Sequence, residues 1–365
     1  MDWIKRELLE LREKRLYREL RELEGKQGKK IKIEGRELLN FSSNDYLGLA
    51  KEAGCECLKE WGSGSGASRL VCGSFKVHRE LEKALAEKKG CEDALLFSSG
   101  YLANLGLIST LAGKGDLILS DELNHASLID GIRLSRAEKL IYPHRDWEFV
   151  RDFLRKRRGE FRRCLIVSDG VFSMDGDLAP IDKLLEIRRA FDCILVIDDA
   201  HATGVIGWSS FAPFGLEPDE GTVIVGTLGK ALGTFGAFVA SSYLVREYLI
   251  NRCRTFIFTT ALPPALACQT LKNLEKVEER MGKLRKLISF FSSLTGISSQ
   301  SAIFPLVLGS EERALELSKR LYEEGFFVPA IRPPTVRESR LRITITAEHT
   351  ERELLSLWEA IENGL

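Results

Sequence analysis

The chain has 365 residues, more than one core usually serves, so two lobes are expected. Lys plus Arg and Asp plus Glu each count 53, a balance that gives no electrostatic case for nucleic acid or a membrane surface as a partner. The eight cysteines are scattered without a CxxC pair, which predicts reduced thiols, with neither a disulfide framework nor a zinc site.

In chain order, residues 2–24 predict an amphipathic helix, with Ile4, Leu8, Leu11, Leu16, Leu20 and Leu23 at near-helical spacing between charges. Such a helix is expected to pack on the body or on a partner subunit. The opening residues lack the apolar core of a signal peptide, and no apolar run is long enough to span a bilayer, so a soluble, cytoplasmic protein is expected. A strand-like pair follows at 30–33 and 37–41, and then Asn44-Asp45-Tyr46-Leu47-Gly48. The Gly/Ser run at 62–66 has the composition of a flexible linker, but it lies between two helical stretches inside a lobe. A backbone loop closing over a ligand is at least as good a reading.

From residue 94 the chain alternates between apolar runs and mostly helical patterns. Seven runs stand out, at 94–97, 116–119, 139–142, 164–167, 193–197, 222–225 and 237–240. The pattern predicts an α/β lobe with a mostly parallel seven-stranded sheet covered on both faces. Past Pro263-Pro264 it changes to a long helical stretch (265–294), an apolar run (302–308), a helix (311–324), strand-like runs (327–331 and 340–345) and a closing helix (350–363). That reads as a smaller α+β lobe. The expected division is 1–43 for the N-terminal helix and short strands, 44–264 for the large lobe and 265–365 for the small one.

Ligands of open α/β sheets sit beyond the carboxyl ends of the strands, and the polar residues of this chain collect there. The first run ends in Ser98-Ser99-Gly100-Tyr101 and enters a helix, so Ser99, Gly100 and Tyr101 offer N–H groups and a hydroxyl to a phosphate. The second ends in Asp121, ahead of Asn124-His125-Ala126-Ser127, and the fourth in Asp169, ahead of Ser173. The fifth ends in Asp198, with His201 three residues on, and the sixth leads to Thr227 and Lys230. One such loop is ordinary turn chemistry. Five, carrying two of the five histidines, point to a site.

Asp198 and Lys230 together suit pyridoxal phosphate (PLP). The amine forms the Schiff base, and the carboxylate keeps the pyridine nitrogen protonated so that the ring acts as an electron sink. No metal is expected, because His125 and His201 lack a third ligand at a recognisable spacing. One of them is expected to stack on an aromatic cofactor and the other to donate to its phenolic oxygen. His78, His144 and His349 lie in charged surroundings and are expected at the surface or in caps. No nucleophile elbow, Walker A or dinucleotide fingerprint is present.

The ordered set Asn44-Asp45-Tyr46-Leu47-Gly48, residues 62–73 with His78, Asn124-His125-Ala126-Ser127, Gly170-Val171-Phe172-Ser173-Met174-Asp175-Gly176, Asp198-Asp199-Ala200-His201 and Thr227-Leu228-Gly229-Lys230 resembles the α-oxoamine synthases. These are a branch of the fold-type-I PLP-dependent transferases. The resemblance implies that Lys230 holds PLP, Asp198 faces the pyridine nitrogen, His201 reaches the phenolic oxygen and His125 stacks on the ring. Ser173 and Thr227 would line the cofactor, with Ser99, Gly100 and Tyr101 at its phosphate and Thr259 or Thr260 reaching that phosphate from a second subunit. Arg342 and Asn44 would grip an amino-acid carboxylate. Thr335 and an N-terminal arginine would meet substrate; Arg21 matches best, although Arg12, Arg15 and Arg18 share its predicted helix.

Two positions depart from the family pattern: Asp169 where relatives often carry glutamate, and Ala202 where glycine is common. The resemblance also implies a symmetric homodimer and decarboxylative condensation of an amino acid with an acyl thioester. Residues 331–336 and 340–342 most resemble the branch member that joins L-alanine to a pimeloyl thioester, carried on CoA or on acyl carrier protein. A sister synthase using glycine and acetyl-CoA, a fold-type-I aminotransferase and a PLP-binding regulatory protein without turnover stay open at this point.

Overall fold

The computed structural model describes residues 1–14, 16–52 and 54–365. Helix α1 (Asp2–Glu13) leads to the hairpin β1 (Lys30–Ile33) and β2 (Arg36–Asn40), followed by α2 (Cys55–Trp61) and α3 (Lys76–Lys89). Next come β3 (Asp93–Phe97), α4 (Gly100–Leu111), β4 (Leu117–Asp121), α5 (Ala126–Ser135), β5 (Glu138–Tyr142), α6 (Trp147–Arg157), β6 (Cys164–Asp169), α7 (Ile181–Ala190), β7 (Ile194–Asp198), β8 (Thr222–Thr227) and β9 (Ala237–Ser241). The remainder is α8 (Tyr243–Arg252), α9 (Arg254–Ile257), α10 (Pro264–Thr295), β10 (Ile303–Gly309), α11 (Glu311–Glu323), β11 (Phe326–Phe327), β12 (Ala330–Ile331), β13 (Ser339–Thr344) and α12 (Glu351–Glu362).

The seven apolar runs form one sheet in the order β3-β9-β8-β7-β6-β4-β5, in which β9 alone runs against its neighbours. Both faces are covered. Leu96, Phe238 and Ala240 pack in one cluster with Leu81 and Leu85 of α3 and Ala267 of α10, while Leu95, Phe97, Val223 and Val239 pack with Leu107 of α4 and Leu249 of α8. Burial on both faces explains why six of these strands read as near-continuous apolar runs rather than as alternation, while the edge strand β5 buries only Tyr142. Because the parallel strands share a direction, Asp121, Asp169, Asp198 and Thr227 all emerge at one rim.

Several expectations are corrected. The helix expected over 2–24 stops at Glu13, and none of its residues is buried. Leu23 instead bridges Ile33, and Glu24 N–H donates to the Lys32 carbonyl at 2.8 Å, so pairing with the edge of β1 overrides helical spacing. Arg15 lies outside the described residues. The run at 327–331 serves two sheets: β11 pairs in parallel with β2, and β12 pairs with β13. The N-terminal hairpin is thereby tied to a strand near the C-terminal end of the chain. The cysteine expectation fails at one pair, since Cys57 and Cys268 are disulfide-bonded. They lie 211 residues apart, and α2 packing on α10 brings them together, which no spacing rule reports. The other six cysteines are free.

The remaining histidines cap turns, but none is a plain surface residue. His78 is fully buried: its Nδ1 accepts from Phe75 N–H at 3.3 Å, and its Nε2 lies 2.8 Å from the Leu262 carbonyl. His349 is also buried, stacked on Phe41, with Nδ1 accepting from Thr346 N–H at 3.0 Å. His144 bridges Asp121 (3.0 Å) and Asp177 (2.9 Å) and stands edge-on to Phe172. Burial disfavours its charge, but the two carboxylates outweigh burial and raise its pKa to about 9.

This bridge makes stability depend on pH. A folded-state pKa above the ordinary 6.5 means that the imidazolium stabilises the fold fully below pH 6.5 and ceases to do so as pH rises through about 9. His144→Gln should therefore lose on the order of 2 kcal/mol against wild type near pH 6, and the gap should close by pH 9.5. Urea unfolding at matched protein concentration across that range measures it, and a gap independent of pH would contradict the ion bridge.

Candidate active site

At the rim of the parallel strands lies a cavity of about 230 Å³. Its lining includes Gly100, Tyr101, His125, Asp198, His201, Thr227 and Lys230 from the predicted set, together with Asn104, Ser127, Asp169, Val171 and Ala200. Lys230 reaches it from the connection between β8 and β9, and its Nζ is 2.9 Å from His201 Nε2. On the other side of that ring, His201 Nδ1 is 2.6 Å from the Tyr46 hydroxyl.

Asp198, the last residue of β7, is held from two sides. Its Oδ1 accepts from Ala200 N–H at 2.9 Å and its Oδ2 from Asn104 Nδ2 at 2.6 Å. Asn104 also donates to Ser127 Oγ at 2.9 Å, and that hydroxyl is 2.8 Å from His125 Nδ1. One polar chain thus joins the acid at the end of β7 to the histidine that caps α5. The next residue, Asp199, is anchored separately: its carboxylate accepts from buried Lys89 at 2.8 Å. Lys89 Nζ also donates to Thr203 Oγ1 at 2.8 Å, which fixes the start of the loop carrying His201.

The surroundings disfavour the ammonium form of Lys230. Burial lowers the pKa of Lys230, against the pull of Asp198 and Asp169, and nearby Arg342 lowers it further. Burial and the charges of Lys230 and Arg342 hold His201 well below its ordinary value. Burial likewise lowers His125, opposed by Asp198. Asp169 sits beside Asp198 across the β6–β7 pair, and burial, with that neighbouring negative charge, raises its pKa well above the carboxylate range.

Arg342 lies beside the cavity, on β13. Its Nε donates to the Ser173 carbonyl at 2.5 Å and its Nη2 to Asn44 Oδ1 at 3.2 Å, which brings three predicted residues together. The structure does not bring five others into the lining of this cavity. Ser99 caps α4, its Oγ accepting from Leu102 N–H at 3.3 Å. Thr335 lines a separate cleft of about 300 Å³ with Leu16, Arg18 and Pro333. The Arg21 guanidinium lies over the Tyr322 and Phe327 rings, so Arg18 is the N-terminal arginine that shares a cleft with Thr335. Thr259 and Thr260 lie on a small crevice with Arg69 and Ser98, where the Thr260 carbonyl accepts from Ser98 Oγ at 3.2 Å. Sequence reasoning missed Asn104 and Tyr46 as site residues. Asn104 carried a signal, a polar residue amid the apolar α4 sequence Leu-Ala-Asn-Leu-Gly-Leu.

These residues fit PLP. Thr227 Oγ1 is buried without a hydrogen-bond partner, at the mouth of the α4 N-terminus. A side chain on Gly100 would meet Thr227 Cγ2 at 2.8 Å, so backbone N–H groups and an unpaired hydroxyl are left open to an anion. The Lys230 amine and the Asp198 carboxylate complete the set of groups that a pyridine aldehyde requires.

The model of the "Aminotransferase class I and II" family matches residues 36–361. The chain belongs to that family. Within it, the α-oxoamine synthase resemblance holds along the whole length. An 8-amino-7-oxononanoate synthase of Geobacter sulfurreducens is 47% identical, with 95% of this chain and 94% of the relative covered. One from Methylococcus capsulatus is also 47% identical, with 98% and 97% covered. The solved serine palmitoyltransferase of S. paucimobilis with a bound PLP–myriocin aldimine superposes with a TM-score of 0.88 at 29% identity, over 100% of this chain and 96% of that one. The architecture of this family member is that of the fold-type-I PLP transferases.

Borohydride reduction of the PLP-loaded protein should fix the cofactor on Lys230 alone, and Lys230→Ala should leave it extractable. Because the Lys230 amine is held below its ordinary pKa, trapping should persist toward neutral pH, where solvated lysines are protonated. Peptide mapping by mass reads the site, and a label on any other lysine would refute the assignment.

Proposed function

We propose that the protein is an 8-amino-7-oxononanoate synthase, a PLP-dependent acyltransferase of biotin biosynthesis. It joins L-alanine to a pimeloyl thioester, releasing CO2 and the carrier thiol. A C–C bond forms between the alanine Cα and the acyl carbon, while the thioester C–S bond and the bond to the original carboxylate break. The observation that carries this reading is the convergence of Lys230, Asp198, His201 and Arg342 in a chain nearly half identical to synthases of that name.

PLP, when bound, supplies the electron sink for loss of the Cα proton and of CO2. In this reading Asp198 keeps a proton on the pyridine nitrogen, and its bond from Asn104 holds that carboxylate in place. His201 would donate to the phenolic oxygen, and His125 would lie against the ring. Ser99, Gly100, Tyr101 and Thr227 would hold the phosphate, helped by Thr259 and Thr260 of a second copy in a homodimer. Ser173 would line the cofactor, and its carbonyl orients Arg342. Arg342 and Asn44 would grip the alanine carboxylate, and a planar guanidinium suits that bidentate task. Lys230, whose surroundings disfavour the ammonium, would take the Cα proton.

The acyl chain needs apolar walls and a polar end. Thr335 and the N-terminal arginines, Arg21 and Arg18 among them, are proposed to meet it along the cleft bounded by Ile331 and Pro333. The division at 1–43, 44–264 and 265–365 belongs to the same reading, with cofactor groups on the large lobe and Arg342 and Thr335 on the small one.

Two measurements test the function. Asp198→Asn should keep PLP through its phosphate contacts but lose turnover by roughly 10²-fold or more; near-normal turnover would remove its role. L-Alanine with pimeloyl thioester should exceed glycine with acetyl-CoA in kcat/KM by at least about 10²-fold, since an acetyl group uses neither the apolar wall nor the polar end. If glycine with acetyl-CoA were the faster pair, the synthase chemistry would stand and the substrate assignment would fall.

A further inference from the structure

Tyr46 has no role in the reading above, yet it joins two of its parts. Its hydroxyl is 2.6 Å from His201 Nδ1, 3.1 Å from Asn44 Oδ1 and 3.5 Å from Arg342 Nη2. The side chain is fully buried, so the phenolic hydrogen must go to one of these groups. We propose that Tyr46 is a positioning residue that donates to His201 Nδ1, leaving the imidazole hydrogen on Nε2, directed at Lys230.

Geometry assigns the hydrogen. Nδ1 is the nearer of the two acceptors, at 2.6 Å against 3.1 Å for Asn44 Oδ1. Arg342 Nη2 donates to Asn44 Oδ1 at 3.2 Å and approaches the phenolic oxygen at 3.5 Å. A guanidinium has only donors, so the phenol must meet it with a lone pair and turn its hydrogen away. Burial above all, with Arg342 nearby, holds His201 well below its ordinary value, so the ring is neutral near pH 7. A neutral imidazole has one donor and one acceptor nitrogen, so an accepting Nδ1 makes Nε2 the donor. Nε2 is the atom that faces Lys230 Nζ at 2.9 Å.

The kinetic consequence rests on the proposed function: the Nε2 hydrogen is the one that His201 turns toward the phenolic oxygen of PLP. Without the phenol, Nδ1 is buried and unpartnered, and nothing holds the ring in that orientation. The Arg342 grip keeps the Ser173 carbonyl and Asn44, so the carboxylate should still bind.

The test uses the full-length chain with ¹⁵N-labelled histidine, with and without PLP, read by imidazole nitrogen shifts. The chain has five histidines, and His201→Asn assigns the signal. Wild type should carry its hydrogen on Nε2, with Nδ1 shielded by an accepted hydrogen bond. In Tyr46→Phe, Nδ1 should move to the shift of an unbonded pyridine-type nitrogen. A wild-type hydrogen on Nδ1 overturns the proposal even if the variant fails to fold, and so does an unmoved Nδ1 in a folded variant. In turnover, Tyr46→Phe should lower kcat about 10-fold and leave KM for L-alanine within about twofold. A raised KM at unchanged kcat would place Tyr46 in the carboxylate grip alone and overturn it. If no amino acid and thioester pair gave product, the functional reading would fall, and the nitrogen shifts would still decide the Tyr46 assignment.

Discussion

The site depends on one desolvated amine. The proposed roles of Lys230 as nucleophile and base require that its ammonium form be disfavoured, and the cavity lowers its pKa by burial more than by any single charge. The charges nearby pull in both directions: Asp198 and Asp169 favour the ammonium, and Arg342 opposes it. A solvated cavity would let the carboxylates prevail. Strands buried on both faces, and rim loops pinned by Lys89 and Asn104, are therefore part of the chemistry as well as of the fold.

The same rim concentrates negative charge, because parallel strands deliver Asp121, Asp169 and Asp198 to one edge. Each is relieved differently. Asp121 accepts from His144 and from the Arg145 N–H. Burial and the charge of its neighbour push the pKa of Asp169 well above the carboxylate range. Asp198 accepts from Asn104 and the Ala200 N–H, both neutral donors, and so faces the cavity as a carboxylate without a counter-ion among its hydrogen-bond partners. That arrangement is suited to a pyridinium. A lysine or arginine paired to Asp198 would have spent the charge the cofactor needs.

What the sequence revealed follows the range of the interactions involved. Six of the seven sheet strands were legible because burial on both faces makes each a local apolar run with turn residues at its end, and the exposed edge strand β5 was legible from its short Leu-Ile-Tyr run. That Lys230, Asp198, His125 and His201 would meet at one rim was legible because a strand end is a local address. Long-range pairings were not: β11 and β12 differ by a few residues but join different sheets, and Leu23 leaves a helical pattern to pair with β1. Cys57 and Cys268 meet only through helix packing. Tyr46 and Asn104 lay inside strong motifs or helices, but their importance rests on partners about 155 and 94 residues away, which spacing cannot show.

Arg342 shows how β13, near the C-terminal end of the chain, meets the rim of the seven-stranded sheet. Arg340 and Arg342 lie two residues apart on β13 and so project from the same face, toward the loop that follows β6. Arg340 meets the Asp175 carboxylate at 2.5 Å and is neutralised there. Arg342, equally buried, meets only the Ser173 carbonyl, the Asn44 amide oxygen and the Tyr46 hydroxyl. A buried guanidinium whose hydrogen-bond partners are all neutral oxygens favours an incoming anion, and an amino-acid carboxylate is one of suitable shape. One arginine thus pairs β13 with an acid on the loop after β6 while its neighbour is left, in the proposed reading, for the substrate carboxylate, and the difference between them is a single carboxylate on the loop both of them touch.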